Sequence, residues 1–369
     1  MIRSALSFFA SIFIFAATTF ATEPFTVFEG KDASTPKQPQ ACLSSDGAVH
    51  ITFGVGDQVF YCKVKDDKCS APQPAFRVPN MSLGMRRGPR IAHSGASITI
   101  TAIGGTQGKG RDGDILAYRS HDLGKNWLGP VKVNDVDGSG REGLHAMTSG
   151  DDGALWCVWL DLREKGTVLY ASKSMDHGET WSKNILVYRS PDGSICECCH
   201  PSIIASDNTV QVLFRNSLKG DRDMYLITSL DQGKSFGEAR RLGRTNWHLN
   251  ACPMDGGMLA VIGRGEFNTV WRRDRTILSS GTKPGAETLL GTGEQPWTSA
   301  SADGFFTVWT TKRDGDLQML KPGSTKIETL SENSSYPVVV SSSDANSSAY
   351  VLWEKRGPEG YSIVGQLIQ

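Results

Sequence analysis

Three eight-residue segments of this chain are copies of one pattern: S-H-D-L-G-K-N-W from Ser120 to Trp127, S-M-D-H-G-E-T-W from Ser174 to Trp181, and S-L-D-Q-G-K-S-F from Ser229 to Phe236. Their starts lie 54 and 55 residues apart (174 − 120 and 229 − 174). A fixed period of this length marks a stacked or circular repeat, which constrains the fold more than any other feature of the chain. Each copy holds the parts of a rigid turn. Asp122, Asp176 and Asp231 can accept backbone N–H groups two residues on in an Asx-type turn. Gly124, Gly178 and Gly233 supply a positive φ. Trp127, Trp181 and Phe236 can pin the turn onto the neighbouring sheet. The pattern explains a hairpin turn and, by itself, no chemistry.

A short strand, often ending in a large aromatic residue, recurs around these boxes. It reads V-H-I-T-F from Val49, S-I-T-I-T from Ser97, L-W-C-V-W from Leu155, V-Q-V-L-F from Val210, M-L-A-V-I from Met258, F-F-T-V-W from Phe305 and A-Y-V-L-W from Ala349. Turn residues usually precede it, as at Asp46-Gly47, Asp152-Gly153 and Asp303-Gly304. Each copy has a strand before that turn and more strands after it. Four strands in about 50 residues make one propeller blade. The expected fold is therefore all-β, a β-propeller of four-stranded blades, seven by this count. The last unit has no room for its fourth strand, and Pro24 to Phe28 can supply it. No linker or low-complexity tract interrupts residues 22–369, which read as one domain.

Residues 1–21 read as a secretory signal peptide: one Arg, an apolar run from Ala5 to Phe20, and small residues at Thr19 and Ala21 that favour cleavage after Ala21. The rival reading, an uncleaved anchor, needs a longer apolar run. The mature chain is then expected outside the cytoplasm, secreted or periplasmic, with no stable membrane span. The 39 basic and 39 acidic residues balance, which argues against a nucleic-acid partner. Eight cysteines in an exported chain point first to disulfides, Cys62 with Cys69 being a plausible local pair.

A propeller places the start of each innermost strand and the end of the next strand on one face, and the boxes on the other. The first face collects Arg86, Arg87, Arg90, Arg141, Glu142, His145, Cys196 to Pro201, Trp247, His248, Asn250, Cys252, Glu294 to Trp297 and Tyr336 from strand starts. Strand ends add Arg111, Asp112, Asp114, Asp161, Arg163, Arg215, Asn216, Arg264 and Glu354. Ordinary turns favour Gly, Asn, Asp and Ser, so clustered Arg and His mark a candidate site. A network of salt bridges between blades is the structural alternative.

The boxes fit S-x-D-x-G-x-[ST]-[WF], with Asn126 departing in the first copy, and resemble the Asp-box or bacterial neuraminidase repeat of sialidase-like propellers. The motif is specific for the blade and not for sialidase activity. The sialidase catalytic domain is six-bladed, which keeps six blades as an alternative to seven. Such enzymes hold a substrate carboxylate with three arginines and use a Tyr nucleophile assisted by a Glu, with an Asp as acid/base. By that resemblance Arg90 in G-P-R-I-A and Arg215 clamp the substrate, Arg264 is the positional candidate for the third arginine, and Arg87, Arg141, His145, Asn216 and Trp247 line the rim. Asp112, or Asp114, matches the acid/base, and Tyr336 in S-Y-P matches the nucleophile, with Glu197 or Glu142 as its partner. The segment before Arg215 departs from the family, since C-E-C-C-H stands where the catalytic Glu is expected.

The resemblance implies an exported glycoside hydrolase of exo-α-sialidase type acting on an acidic sugar. Two other readings stay open. One is a non-catalytic propeller that binds an acidic glycan or peptide on the same rim. The other is a metal or redox propeller built on Cys196, Cys198, Cys199, His200, His248 and Cys252, with Met254 nearby. No cofactor is expected under the first two; a soft metal ion suits the third. Disulfides such as Cys252 with Cys198 or Cys199 are the structural alternative to metal.

Overall fold

The computed structural model describes residues 23–31, 35–262, 266–282, 285–341 and 348–369, and every regular element among them is a β-strand. The chain builds antiparallel blades in sequence order. The first holds Pro36–Leu43, Val49–Val55, Gln58–Lys65 and Gln73–Arg77, with Lys68–Cys69 as a short spur. The second holds Arg90–Ser94, Ser97–Gly104, Asp114–Ser120 and Leu128–Lys132. Blades three, four and five begin at His145–Ser149, Ser202–Ser206 and Met258–Ile262.

Those five sheets are self-contained, and the sixth has seven strands. It is two blade units joined by the 15-residue strand Ile327–Ser341. Ile327 to Ser334 pairs with Gly315–Leu320 as the outer strand of one unit. Ser334 to Ser341 pairs with Ala349–Gly357 as the innermost strand of the next. Innermost strands touch in chain order, and Pro36–Leu43 touches both Arg90–Ser94 and Ile327–Ser341, which closes the ring. The ring is also closed within a sheet. Phe25–Glu29 pairs with Gly360–Ile368, Phe25 opposite Gly365, so the N-terminal segment supplies the last unit's outer strand. Residues 1–21, expected as a signal peptide, lie outside the described residues, as does Arg264.

The boxes are built as small hydrogen-bonded frames. Asp176 accepts from the Ser174 hydroxyl at 2.8 Å, from Thr180 N–H at 2.8 Å and from the Thr180 hydroxyl at 2.5 Å. The carboxylate thus reaches the residue four positions on rather than two. Asn126, the departure from the pattern, fills the same place by giving Asp122 its N–H at 2.9 Å and its amide at 2.7 Å. Each box docks on the preceding blade. A Cβ on Gly124 would meet the Tyr61 ring at 2.1 Å, and one on Gly233 would meet the Trp156 ring at 2.2 Å. With φ of +85° and +78°, both positions need glycine twice over. Trp127 closes the dock with edge contacts to Tyr61 and Phe76, ring centroids 5.5 Å away. Asp176→Ala removes the acceptor of three hydrogen bonds and is expected to cost about 1 to 2 kcal/mol. Chemical denaturation checks this, and no change in midpoint contradicts the frame.

Candidate active site at the channel mouth

Three innermost strands begin with the same irregularity. Gln38, Gln295 and Tyr336 each precede a proline, and their φ values are +58°, +61° and +51°. Each lies at a break in strand register, between Lys37 and Gln40, Glu294 and Trp297, and Ser335 and Val338. A bulge re-aims a side chain. A non-glycine residue held at positive φ costs about 1 to 3 kcal/mol, and such residues gather at functional sites.

The irregular residues tie the ring together across its mouth. Gln295 accepts the Tyr336 N–H on Oε1 at 2.6 Å and donates its own N–H to Asp255 at 2.7 Å. Gln38 donates its N–H and its side-chain amide to Glu354 Oε1 at 2.7 and 3.0 Å. Arg86, between the first two blades, reaches the far side. It donates to the carbonyls of Gln295 at 2.9 Å and Pro337 at 3.1 Å. Its guanidinium lies 4.8 Å from the Trp297 ring centre and 5.7 Å from that of Tyr336. Arg313 stands 5.7 Å from the same Tyr336 ring. Arg272 pairs with Asp255 at 3.3 Å and Glu294 at 3.4 Å.

Burial sets the electrostatics. It pushes the Glu354 carboxyl up to about 7, against the pull of the Gln38 hydrogen bonds, Lys37 and Arg86. It pushes the Tyr336 phenol up to about 12, with Arg313 and Arg86 pulling down and Glu354 pushing further up. It also raises the Asp255 carboxyl despite Arg272, and brings Arg86 down to about 10, still charged near neutrality. Glu354 therefore changes charge near neutral pH beside a phenol whose hydroxyl takes no hydrogen bond among the described residues.

Several residues expected to act on a ligand are directed elsewhere. Arg215 donates to the carbonyls of Asp255 (3.2 and 3.1 Å), Arg222 (2.6 Å) and Arg272 (2.8 Å). Arg90 likewise donates to the carbonyls of His145 (3.0 Å), Gly88, Pro89 and Arg86. With their donors on main chain and both residues buried, neither is a free clamp for a carboxylate. Asp112 is a loop brace. Its oxygens accept from Thr106 N–H, the Thr106 hydroxyl, Gln107 N–H and Gly108 N–H at 2.7 to 3.0 Å. Desolvation opposes these bonds, yet they hold the carboxyl below its ordinary range, the reverse of what a general acid needs. Asp114 accepts from the Asn134 side-chain amide and the Gly138 N–H, both at 2.7 Å.

His145 is buried and neutral, its pKa far below the ordinary value through burial and Arg90, and it bonds Thr101 at 3.0 Å. Asn216 is buried against the Tyr188 hydroxyl at 3.1 Å. Trp247 is held between the guanidinia of Arg215 and Arg272, at 5.1 and 5.7 Å. Arg87 binds the Glu142 carbonyl at 2.7 Å and approaches its carboxylate at 3.8 Å, while Arg141 and Glu197 are exposed. Glu197 acts on Glu142, and neither figures in the environment of Tyr336; the carboxylates that act on Tyr336 are Glu354 and, less strongly, Glu294. Asp255, Arg272, Gln38 and Arg313 escaped the sequence reading. The repeated x-Pro at three strand starts was the available signal for Gln38.

All eight cysteines are free thiols, so the expected disulfides are not formed here. Cys62 is buried, and the Cys69 thiol donates to the Ser70 carbonyl at 3.4 Å. Cys196, Cys198 and Cys199 come together, whereas His248 and Cys252 are exposed, and His200 stacks on Trp297 instead.

A family model described as a BNR repeat-like domain matches residues 93–348. No curated protein matches the sequence. Among solved structures, the α-L-arabinofuranosidase Arb93A of Fusarium graminearum is similar at TM-score 0.52 and 10% identity, over 95% of this chain and 98% of that one. A Trypanosoma rangeli sialidase in complex with the inhibitor DANA is similar at TM-score 0.55 and 15% identity, over 94% of this chain and 60% of that one. A Dyadobacter fermentans protein of unknown function is similar at TM-score 0.54 and 14% identity, over 96% of this chain and the whole of that one. At these identities the likeness is one of fold.

Proposed function

The chain belongs to the BNR repeat-like domain family, and from that premise we propose that it is an exported glycoside hydrolase acting on an acidic sugar at the channel mouth. The observation that carries this reading is that the charge of Glu354, a carboxyl pushed up to about 7, acts on the Tyr336 phenol, whose ring also lies 5.7 Å from the guanidinia of Arg86 and Arg313. A neutral phenol approaches an anionic substrate without the repulsion a carboxylate would meet. Its high pKa makes it a weak nucleophile unless a base takes the proton, and Glu354, whose carboxyl loses its own proton near neutral pH and whose charge acts on the phenol, is the group assigned to do so. Tyr336 Oη forms a bond to the anomeric carbon as the bond to the leaving oxygen breaks. Water then replaces the tyrosine. The exposed Arg313 draws the substrate's carboxylate to that centre, while Arg86, buried with its donors on the Pro337 and Gln295 carbonyls, adds only its positive charge.

The test is release from fluorogenic α-sialosides and uronides at about pH 4 to 8, where a phenolic leaving group needs no acid of its own. Glu354→Gln is expected to lower kcat/KM by about 100-fold or more, and Tyr336→Phe to abolish turnover. Wild-type rates in folded Tyr336→Phe contradict the assignment. The saturation of Arg90, Arg215 and Asp112 by main-chain groups favours a second reading, a propeller that binds acidic glycans without cleaving them. That reading expects saturable binding, lost on Arg313 substitution, with no product.

A further inference from the structure

We propose that Cys196, Cys198 and Cys199 form a three-sulfur site for copper(I) in the loop that leads into the fourth blade. This inference does not rest on the carbohydrate reading. The three sulfurs lie within 4.8 Å of one another, and all three residues are buried. Sγ of Cys196 stands 3.7 Å from that of Cys198 and 3.2 Å from that of Cys199. A disulfide needs about 2.05 Å. Sulfurs sharing one ion, with bonds of about 2.3 Å, stand roughly 3.7 to 4 Å apart. The thiols are thus gathered at nearly the separation that a common ion would require.

The scaffold holds the loop at both ends. Ile195 N–H donates to the Thr167 carbonyl at 2.9 Å and Cys196 N–H to that of Arg215 at 3.1 Å. Beyond the third cysteine, the His200 ring stacks on Trp297 and its Nδ1 accepts Gly256 N–H at 3.3 Å.

The donor set selects the ion. Among the described residues no imidazole or carboxylate joins the cluster, and Met254, another soft sulfur, packs against it. Zinc in a structural site takes four ligands, usually completed by nitrogen or a fourth thiolate. Three thiolates in a dry pocket, with a thioether beside them, suit a soft monovalent ion. Three thiolates around copper(I) leave a net negative charge, and the surroundings are cationic. Arg222 acts on Cys196 and Cys198, and its Nε is buried without a partner. Arg215, immobilised by its bonds to carbonyls, acts on Cys196 and Cys199. The arginine that resembled a substrate clamp thereby gains a local role.

The test uses the reduced full-length protein under anaerobic conditions, loaded with copper(I) and then exposed to excess bicinchoninate. The expected result is one equivalent of copper retained, with X-ray absorption showing sulfur neighbours and no nitrogen. Cys252→Ser is expected to retain it, and the Cys198→Ser, Cys199→Ser double variant to lose it. The absorption measurement uses the wild-type protein, so it stands even where the double variant fails to fold. Reduced wild-type protein that retains no copper, a site containing nitrogen, or preferential retention of zinc overturns the proposal.

Discussion

Replacing Arg272 by methionine is expected to cost about 3 to 5 kcal/mol, because it strips a buried carboxylate of its ion-pair partner. Asp255 is nearly inaccessible, at 2% exposure, and one of its oxygens has no hydrogen-bond partner. Arg272 Nε lies 3.3 Å from the other oxygen, which also takes the Gln295 N–H. Burial already pushes the Asp255 carboxyl up, with Arg272 first among the groups opposing it. In the variant the carboxyl takes up a proton instead of remaining charged, so the deficit should shrink as pH falls. Adding Asp255→Asn should recover much of the loss, giving a favourable coupling in a double-mutant cycle. Equal and additive losses contradict the pairing. The consequence reaches the site, since Asp255 anchors Gln295, and Gln295 holds the backbone of Tyr336.

Glu354→Gln is expected to stabilise the protein above neutrality while removing activity. The folded carboxyl is pushed up to about 7 from 4.5, so the fold favours its protonated form. Its contribution to stability is complete below the unfolded value and is lost as pH rises through the folded one. The difference corresponds to roughly 3 kcal/mol at most. Glutamine keeps an oxygen for Gln38 and carries no charge. The variant should match wild type near pH 4 and exceed it above about pH 7. Urea denaturation at both ends of that window measures it, and a pH-independent difference contradicts the buried carboxyl. A residue that destabilises its own fold at working pH is what a site, rather than a brace, retains.

The ring was readable in the sequence because its signals are local. Gly124, Gly178 and Gly233 hold the same turn at positive φ, and that requirement recurs at one period. Pro24 to Phe28 was readable as the closing strand because the last unit was one strand short. The face that gathers polar groups was also legible, since it follows from strand order alone.

What each group does there was not legible, for physical reasons. A guanidinium satisfies its donors equally well with a carboxylate or with carbonyls, and only coordinates show that Arg90 and Arg215 chose carbonyls. Asp112 looked free because the N–H groups it braces lie in an irregular loop. Glu354 is 18 residues from Tyr336 (354 − 336) and becomes its neighbour through the pairing of Ser335 with Glu354. That register includes a bulge, and a bulge leaves no mark in hydrophobic alternation. The cysteine trio was visible as a motif, while its separation from His248 and Cys252 depended on how the next blade begins.

The most direct measurement is mass spectrometry of the protein after incubation with an acidic glycosyl fluoride bearing fluorine on the carbon beside the anomeric centre, which slows loss of a covalent intermediate. The expected result is one added sugar mapped to Tyr336 and absent from Tyr336→Phe. An adduct on another residue, or no adduct from a protein that also releases nothing from the fluorogenic substrates, contradicts the assignment of Tyr336 and Glu354 as the reacting pair.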